Sequence, residues 1–80
     1  MRIVRLNKLD SGKSLAFVDI ETDEGIIIKG FRLVNGQNGI FLASPDERGK
    51  DGNYYETVIV PKHIKSQMEK LAIEEYNKLK

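Results

Sequence analysis

Apolar residues recur at every second position through much of the first half of the chain, which is the period of a β-strand with one buried face. The clearest case places Ala16, Val18 and Ile20 on one side of a strand, and on the other side Leu15, Phe17, Asp19 and Glu21. The next segment is almost entirely β-branched and apolar, as expected for a central strand. This part of the chain therefore predicts three strands, over residues 2–9, 14–22 and 26–34.

Glycines mark where these strands turn or bend. Gly30 interrupts an apolar run, so we predict a β-bulge or a sharp bend there. Two Asn-Gly pairs follow, Asn35-Gly36 and Asn38-Gly39, and Asn-Gly favours tight hairpin turns. A short strand over residues 39–44 follows them and ends at Pro45, which cannot donate to a ladder.

The second half of the chain changes period once. Residues 45–53 are polar and glycine-containing, which predicts a mobile surface loop, and residues 54–60 predict a fifth strand. Pro61 suits a first helical turn, and from Lys62 the apolar residues recur at helical intervals. That apolar stripe comprises Ile64, Met68, Leu71, Ala72 and Leu79, with Ile73 and Tyr76 beside it. On the exposed side, Glu74 and Lys78 predict a supporting ion pair.

The order β-β-β-β-β-α indicates the α+β class: an antiparallel, bent sheet of about five strands with one C-terminal helix against it. Eighty residues form a single domain over 1–80, and a core this small gains from a partner subunit. The absence of cysteine excludes disulfides and thiol chemistry, and no apolar run approaches the length that spans a bilayer. We expect a soluble, cytoplasmic chain that does not bind membranes.

Formal charge is only +1, so the distribution of charge is more informative than its sum. The N-terminal segment is basic, residues 19–24 are acidic, and the tail from Lys62 carries five lysines against three glutamates. The basic start and the basic end could form one face of the fold. The alternative is a mixed surface that serves solubility.

Catalytic and metal-binding patterns are missing from the sequence. The single histidine, His63, has no nucleophile at a suggestive spacing, so a surface position at the helix start is the better interpretation. There is no phosphate-binding glycine loop, no calcium loop and no cysteine-ligated zinc site. The run Gly36 to Gly39 matches the G-x-x-G of KH domains, but there it joins helices and here strands flank it. We expect no enzyme activity, no metal and no cofactor.

The central motif is more specific than the composition. The run "NGQNGIFLASP", residues 35–45, is followed by Asp51-Gly52 and Tyr54, and later by Glu75-Tyr76. In this the chain closely resembles the stage V sporulation protein G family, the small bacterial septation regulators called SpoVG. The motif positions are Asn35, Gly36, Asn38, Gly39, Phe41, Ala43 and Pro45.

The resemblance implies a bent antiparallel sheet with a C-terminal helix, assembled as a homodimer. It also implies a regulator that binds DNA, and in some members RNA, and that affects septation, sporulation or other gene expression. Three departures bear on this. Asp46-Glu47 stand where family members commonly carry basic residues, Lys29-Gly30 replace a His-Asp pair, and residues 62–65 replace a segment rich in Asn, Ser and Thr.

Two hypotheses from different classes follow. The first is a homodimeric nucleic-acid-binding regulator whose cations contact phosphates, with these candidates: Lys62, Lys65, Lys70, Arg2, Arg5, Lys8, Arg48 and Lys50. The second is a protein–protein adaptor, favoured by the near-neutral charge and by Asp46-Glu47. The double Asn-Gly loop is first a structural turn, although its exposed amides could also contact a phosphate or a partner's edge.

Overall fold

The computed structural model describes residues 1–79, with all side chains except those at positions 10 and 11. This part of the chain forms six strands and one helix. The elements are β1 (Arg2–Ser11), β2 (Ser14–Glu21), β3 (Ile27–Gly36), β4 (Gly39–Ala43), β5 (Asp46–Arg48), β6 (Tyr54–Glu56) and α1 (Lys62–Lys78).

Within residues 1–79, β1 to β4 form an antiparallel four-stranded sheet in chain order, while β5 and β6 form a separate two-stranded hairpin. Helix α1 packs against β1, β4 and β2. The predicted fold class, α+β with an antiparallel sheet and one C-terminal helix, is confirmed.

The core lies between one face of this sheet and the helix. Alternation along β2 is confirmed, because Ala16, Val18 and Ile20 are fully buried. Full burial of a side chain of the size of Val18 or Ile20 stabilises the fold by roughly 1.5–3 kcal/mol. The other strands and the helix complete the cluster with Phe31, Leu33, Leu42, Met68 and Ala72, each at most 1% exposed.

Gly30 forms the predicted bulge. Val18 pairs with Phe31 and Ile20 with Ile28, so two residues of β3 lie opposite Asp19 alone. The φ angle of Gly30 is +92°, a region that favours glycine, and its N–H donates to Asp19 Oδ1 at 3.2 Å. Bulges of this kind increase the twist of a strand and bend the sheet.

The region after β4 differs from the prediction in two ways. Residues 45–53 are not one loop, because β5 pairs with β6 and the chain turns between them. The fifth strand was predicted too long, since strand pairing covers only Tyr54–Glu56. The Thr57 N–H still donates to Pro45 O, at 2.9 Å. Because β5 begins only at Asp46, no strand lies beside residues 58–60.

The helix begins one residue later than its proline suggested. Pro61 is the N-cap, and its carbonyl accepts the N–H groups of Ile64 and Lys65 at 3.0 and 2.9 Å. The predicted apolar stripe is correct at Met68 and wrong at Leu79, which is 48% exposed because it lies past the last turn.

The expected ion pair between Glu74 and Lys78 is also not the one formed. Among the described residues, Lys78 Nζ approaches Glu75 Oε2 instead, at 4.0 Å. Both arrangements join neighbouring positions on the helix surface, at a spacing of three residues rather than four.

Candidate nucleic-acid interface

The four-stranded sheet has a second face, opposite the helix, which we call the bare face. Successive side chains of a strand point to opposite faces, so the neighbours of the buried residues project here. Phe17 pairs with Asn7 and with Arg32, Arg32 pairs with Ala43, and Phe41 pairs with Val34. We define the bare face by Arg5, Asn7, Phe17, Asp19, Glu21, Arg32, Val34, Phe41 and Ala43.

Aromatic rings on the bare face are substantially open to solvent. Phe17 is 46% exposed and Phe41 is 44% exposed, although both lie in the middle of strands. Arg32 lies between them on β3, next to Phe17 and one pair away from Phe41. A planar guanidinium between two exposed rings is a combination that suits stacking as well as charge contacts.

The bare face also carries two carboxylates. Asp19 Oδ1 accepts the N–H of Gly30, and Glu21 Oε1 accepts Arg2 Nε at 2.6 Å. Arg5 and Arg32, in contrast, form no ion pair with any described residue. Asp19 keeps its negative charge and lies opposite Arg5, and Glu21 offsets Arg2, so the bare face is only slightly positive, by the charge of Arg32.

A cleft of about 400 Å³ separates the bare face from the β5–β6 hairpin. Phe17, Lys29 and Arg32 line one side of it, and Asp46 and Glu47 line the other. Ser44 also lines the cleft; it is buried, and among the described residues its hydroxyl has no hydrogen-bond partner. Cations and carboxylates thus share this end of the bare face.

The predicted cations divide among three regions. Arg2 and Arg5 lie on the strand that borders the bare face, and Arg2 is held by Glu21. Lys8 pairs with buried Ala16, so it lies on the helix side, with its Nζ 5.8 Å from the centre of the Tyr76 ring. Arg5 and Lys8 are three residues apart, an odd spacing, so the pleat sends them to opposite faces.

The remaining candidates lie on the helix and on the hairpin. Lys62 and Lys65 are neighbours on the first turns of α1, while Lys70 is exposed farther along. Arg48 ends β5, and Lys50 is exposed in the turn that follows it. The single basic face suggested by the two ends of the chain is therefore divided.

Sequence reasoning missed Lys29 and Arg32 as candidate contacts. Both lie in β3, where the apolar run dominated the interpretation. The strand alternation could have identified Arg32, because it lies between Phe31 and Leu33 in the sequence. Burial of those two side chains requires Arg32 to project from the other face.

The motif loop turns β3 into β4, as predicted. Gly36 pairs with Gly39, and the two residues between them form the turn. Gly39 has a φ of +117°, whereas Gly36 leaves room for a ring: a Cβ there would lie 2.8 Å from Phe41 Cε1, so the Phe41 side chain would have to shift. Both glycines of the motif thus have a structural reason, and the reasons differ.

The rest of the motif supports the same corner of the fold. Asn35 and Asn38 have negative φ angles and exposed side chains, so neither asparagine uses the left-handed region. Ala43 ends β4, and Pro45 is buried beside the bulge, 3.8 Å from where a Cβ on Gly30 would lie.

A second hollow, of about 450 Å³, borders the motif loop. Phe41 and Glu69 line it together with the loop residues 36–40. Glu69 lies on α1, and its Oε2 accepts the N–H of Leu42 at 3.1 Å. This bond ties the helix to the outer edge of β4.

The hairpin has its own polar network. The Tyr55 hydroxyl and the Asn53 backbone N–H both donate to the Asp51 carboxylate, the latter at 3.0 Å. The Tyr55 hydrogen bond, followed by the Asn53 N–H, lowers the pKa of Asp51 from its ordinary value.

The described residues include no group of three or more His, Cys, Asp or Glu that could hold a metal ion. His63 is exposed near the start of α1, as expected. Within residues 1–79, no helix has the length and apolar character needed to cross a bilayer.

Comparison with known proteins resolves the family. The SpoVG family model matches residues 1–78. The chain belongs to the SpoVG family.

Individual SpoVG relatives agree with this assignment. A protein of Caldanaerobacter subterraneus subsp. tengcongensis is 29% identical over 96% of this chain and 87% of its own length. A protein of Clostridium perfringens strain SM101 is 28% identical over 96% of this chain and 88% of its own length. A protein of Myxococcus xanthus is 30% identical over 94% of this chain and 77% of its own length. All three carry the name "Putative septation protein SpoVG". The resemblance drawn from the double Asn-Gly motif is confirmed.

Proposed function

We propose that this SpoVG-family chain is a homodimeric, nucleic-acid-binding regulator of septation or of related gene expression, acting on DNA or RNA. The observation that carries the proposal is the freedom of its cations. Of the eight predicted phosphate-contacting residues, only Arg2 forms an ion pair with another described residue. The other seven can exchange counterions for phosphates without first breaking an ion pair.

The proposed contacts position the protein on a backbone and do not read sequence. Lys62 and Lys65 supply adjacent charges on the helix surface, with Lys70 farther along it. Arg48 and Lys50 on the hairpin would add contacts near Asp46 and Glu47, whose charges oppose them. We therefore expect affinity to be modest and strongly dependent on salt.

The homodimer is part of the same proposal. Ile59 is 85% exposed, and within the described chain the N–H groups of residues 58–60 donate no hydrogen bond. Val58 and Val60 are half-buried, so Ile59 is the apolar side chain of this segment that a second copy would cover. Light scattering coupled to size exclusion should give twice the chain mass for the wild type.

The decisive experiment is fluorescence anisotropy of labelled duplex DNA and single-stranded RNA at several salt concentrations. We expect affinity to fall steeply with salt and to weaken when Lys62, Lys65 and Lys70 are together changed to Ala. Lys78→Ala, which removes one charge from an exposed helix lysine outside the proposed set, is compared with the three single substitutions. Absence of binding at low salt would reject the nucleic-acid function.

A protein–protein adaptor is the second candidate, and the exposure of Ile59 favours it as well. The two candidates differ in salt dependence, since counterion release accompanies nucleic-acid binding alone. A wild-type dimer that binds neither DNA nor RNA at low salt would support the adaptor.

A further inference from the structure

We propose that single-stranded nucleic acid binds across the bare face of the four-stranded sheet, stacking bases on Phe17 and Phe41. Arg32 lies between the two rings, and Arg5 contacts the phosphate backbone beside them. The inference rests on the proposed nucleic-acid function but assigns it a different surface from the helix lysines.

The first step is the exposure of the rings. Two phenylalanines nearly half exposed on one sheet face cost hydrophobic free energy unless a ligand or partner covers them. Phe17 is on β2 and Phe41 is on β4, and their partners on β3, Arg32 and Val34, are two residues apart, so the two positions are separated by roughly 12 Å. Two separate bases, rather than one, are needed to cover both rings.

The second step is the chemistry between the rings. Arg32 pairs directly with Phe17 and lies on the same strand as Val34, the partner of Phe41. An unpaired guanidinium in that position can stack on a base or bind a phosphate bidentately. Alternating aromatic and cationic groups are the features that single-strand-binding surfaces combine.

The third step is the form of the ligand. Bases in a duplex are stacked on one another and present only their edges in the grooves, so they cannot lie flat on exposed rings. A single strand can splay its bases onto a sheet, as required here. The bare face therefore selects single strands, whereas the helix lysines contact phosphates of either form.

Charge also favours a polyanion over a second copy of this chain on the same face. Two copies related by a twofold axis would present the same patch to each other. Asp19 lies opposite Arg5 and Glu21 is paired with Arg2, so the charge that the two copies would bring together without an offsetting carboxylate is that of Arg32. Like charges placed together across an interface are costly, whereas phosphates neutralise them.

The test compares ring-deleting variants that keep an apolar side chain. Phe17→Leu and Phe41→Leu should each weaken binding of a labelled 12-nucleotide oligo(dT) by at least about 5-fold, since stacking contributes about 1–3 kcal/mol per base. Arg32→Gln should weaken it too, and Arg32→Lys should recover only part of the loss. Tyr54→Leu removes a 67% exposed ring from the hairpin, where Tyr54 pairs with Arg48, and it should weaken binding less than either phenylalanine variant.

A measurement on the unmodified protein guards against variants that fail to fold. Addition of oligo(dT) to isotope-labelled wild type should shift the ring resonances of Phe17 and Phe41, with a smaller change at Tyr54. Unshifted rings in a saturated complex would overturn the inference.

The outcomes separate this inference from the function on which it rests. If the leucine variants bind like wild type while the triple lysine variant does not, the bare face is not the binding surface and the nucleic-acid function stands. If wild type binds no nucleic acid at low salt, both fail. If Phe17→Leu or Phe41→Leu instead converts a dimer to a monomer, the face is an interface between copies and the inference is overturned.

Discussion

Glu69 shows how one side chain can secure an edge strand. Strand β4 pairs with β3 on one side only, so some of its N–H groups point away from the sheet. Glu69 Oε2 accepts one of them, from Leu42, at 3.1 Å. An open strand edge invites pairing with another chain, and this bond removes one donor from it.

Glu69→Ala should therefore lower the free energy of unfolding by about 1–3 kcal/mol, because the partly buried Leu42 N–H loses its acceptor. Glu69→Gln keeps an oxygen acceptor at the same position and should lose less. Urea denaturation measures the stability, and hydrogen exchange at the Leu42 amide reports the bond itself. Unchanged stability in Glu69→Ala would show that water satisfies this N–H equally well.

Asp51 supplies a prediction about pH at the same scale. Hydrogen bonds, chiefly from Tyr55, lower its pKa below the ordinary value of 3.8. A carboxyl whose pKa is lower in the folded state stabilises that state above its unfolded pKa, and this contribution is lost as pH falls through the folded pKa. Tyr55→Phe should move the Asp51 pKa back toward 3.8, as measured by carboxyl carbon NMR titration. An unchanged midpoint would mean that the Asn53 N–H alone lowers it.

At the scale of elements, apolar residues of the helix that belong to the same predicted stripe differ in their exposure to solvent. Met68 is 1% exposed against the sheet, whereas Leu79 is 48% exposed at the C-cap. Met68→Ala should cost about 2–5 kcal/mol in the free energy of unfolding. Leu79→Ala, the control, should change it by about 0.5 kcal/mol or less. Equal losses in urea denaturation would contradict this account of helix docking.

The elements best predicted from the sequence are those whose own pattern determines their environment. Ala16, Val18 and Ile20 alternate strictly, and a strand with that pattern has only one face to bury. The bulge at Gly30 could be predicted because a glycine inside an apolar strand often marks a bulge or a bend. Local rules were sufficient in both cases.

The parts predicted less well depend on distant partners. Residues 58–60 have strong strand propensity, but a strand forms only where another strand pairs with it. Strand β5 is too short to pair with these residues. The divided basic surface has a similar cause. Arg5 and Lys8 are close in sequence, and only the pairing register assigns them to opposite faces. Which face remains bare depends on where α1 docks, and that is a tertiary outcome.

For the molecule as a whole, a formal charge of +1 means that long-range attraction to nucleic acid is weak and local charges decide affinity. Glu47 is an exposed carboxylate lining the cleft with Lys29 and Arg32, where it repels an approaching phosphate. Glu24, in the turn before β3, is equally exposed but lies in a different part of the fold.

Glu47→Gln should therefore tighten binding of oligo(dT) about 2- to 5-fold, corresponding to roughly 0.5–1 kcal/mol for an exposed charge interaction. If neutralisation allows one more phosphate contact, the slope of log affinity against log salt should steepen by about 0.7, the single-strand value. Glu24→Gln makes the same change in net charge and should leave both quantities nearly unchanged. Equal gains in the two variants, measured by anisotropy across a salt series, would show that total charge governs affinity and that the cleft has no special role.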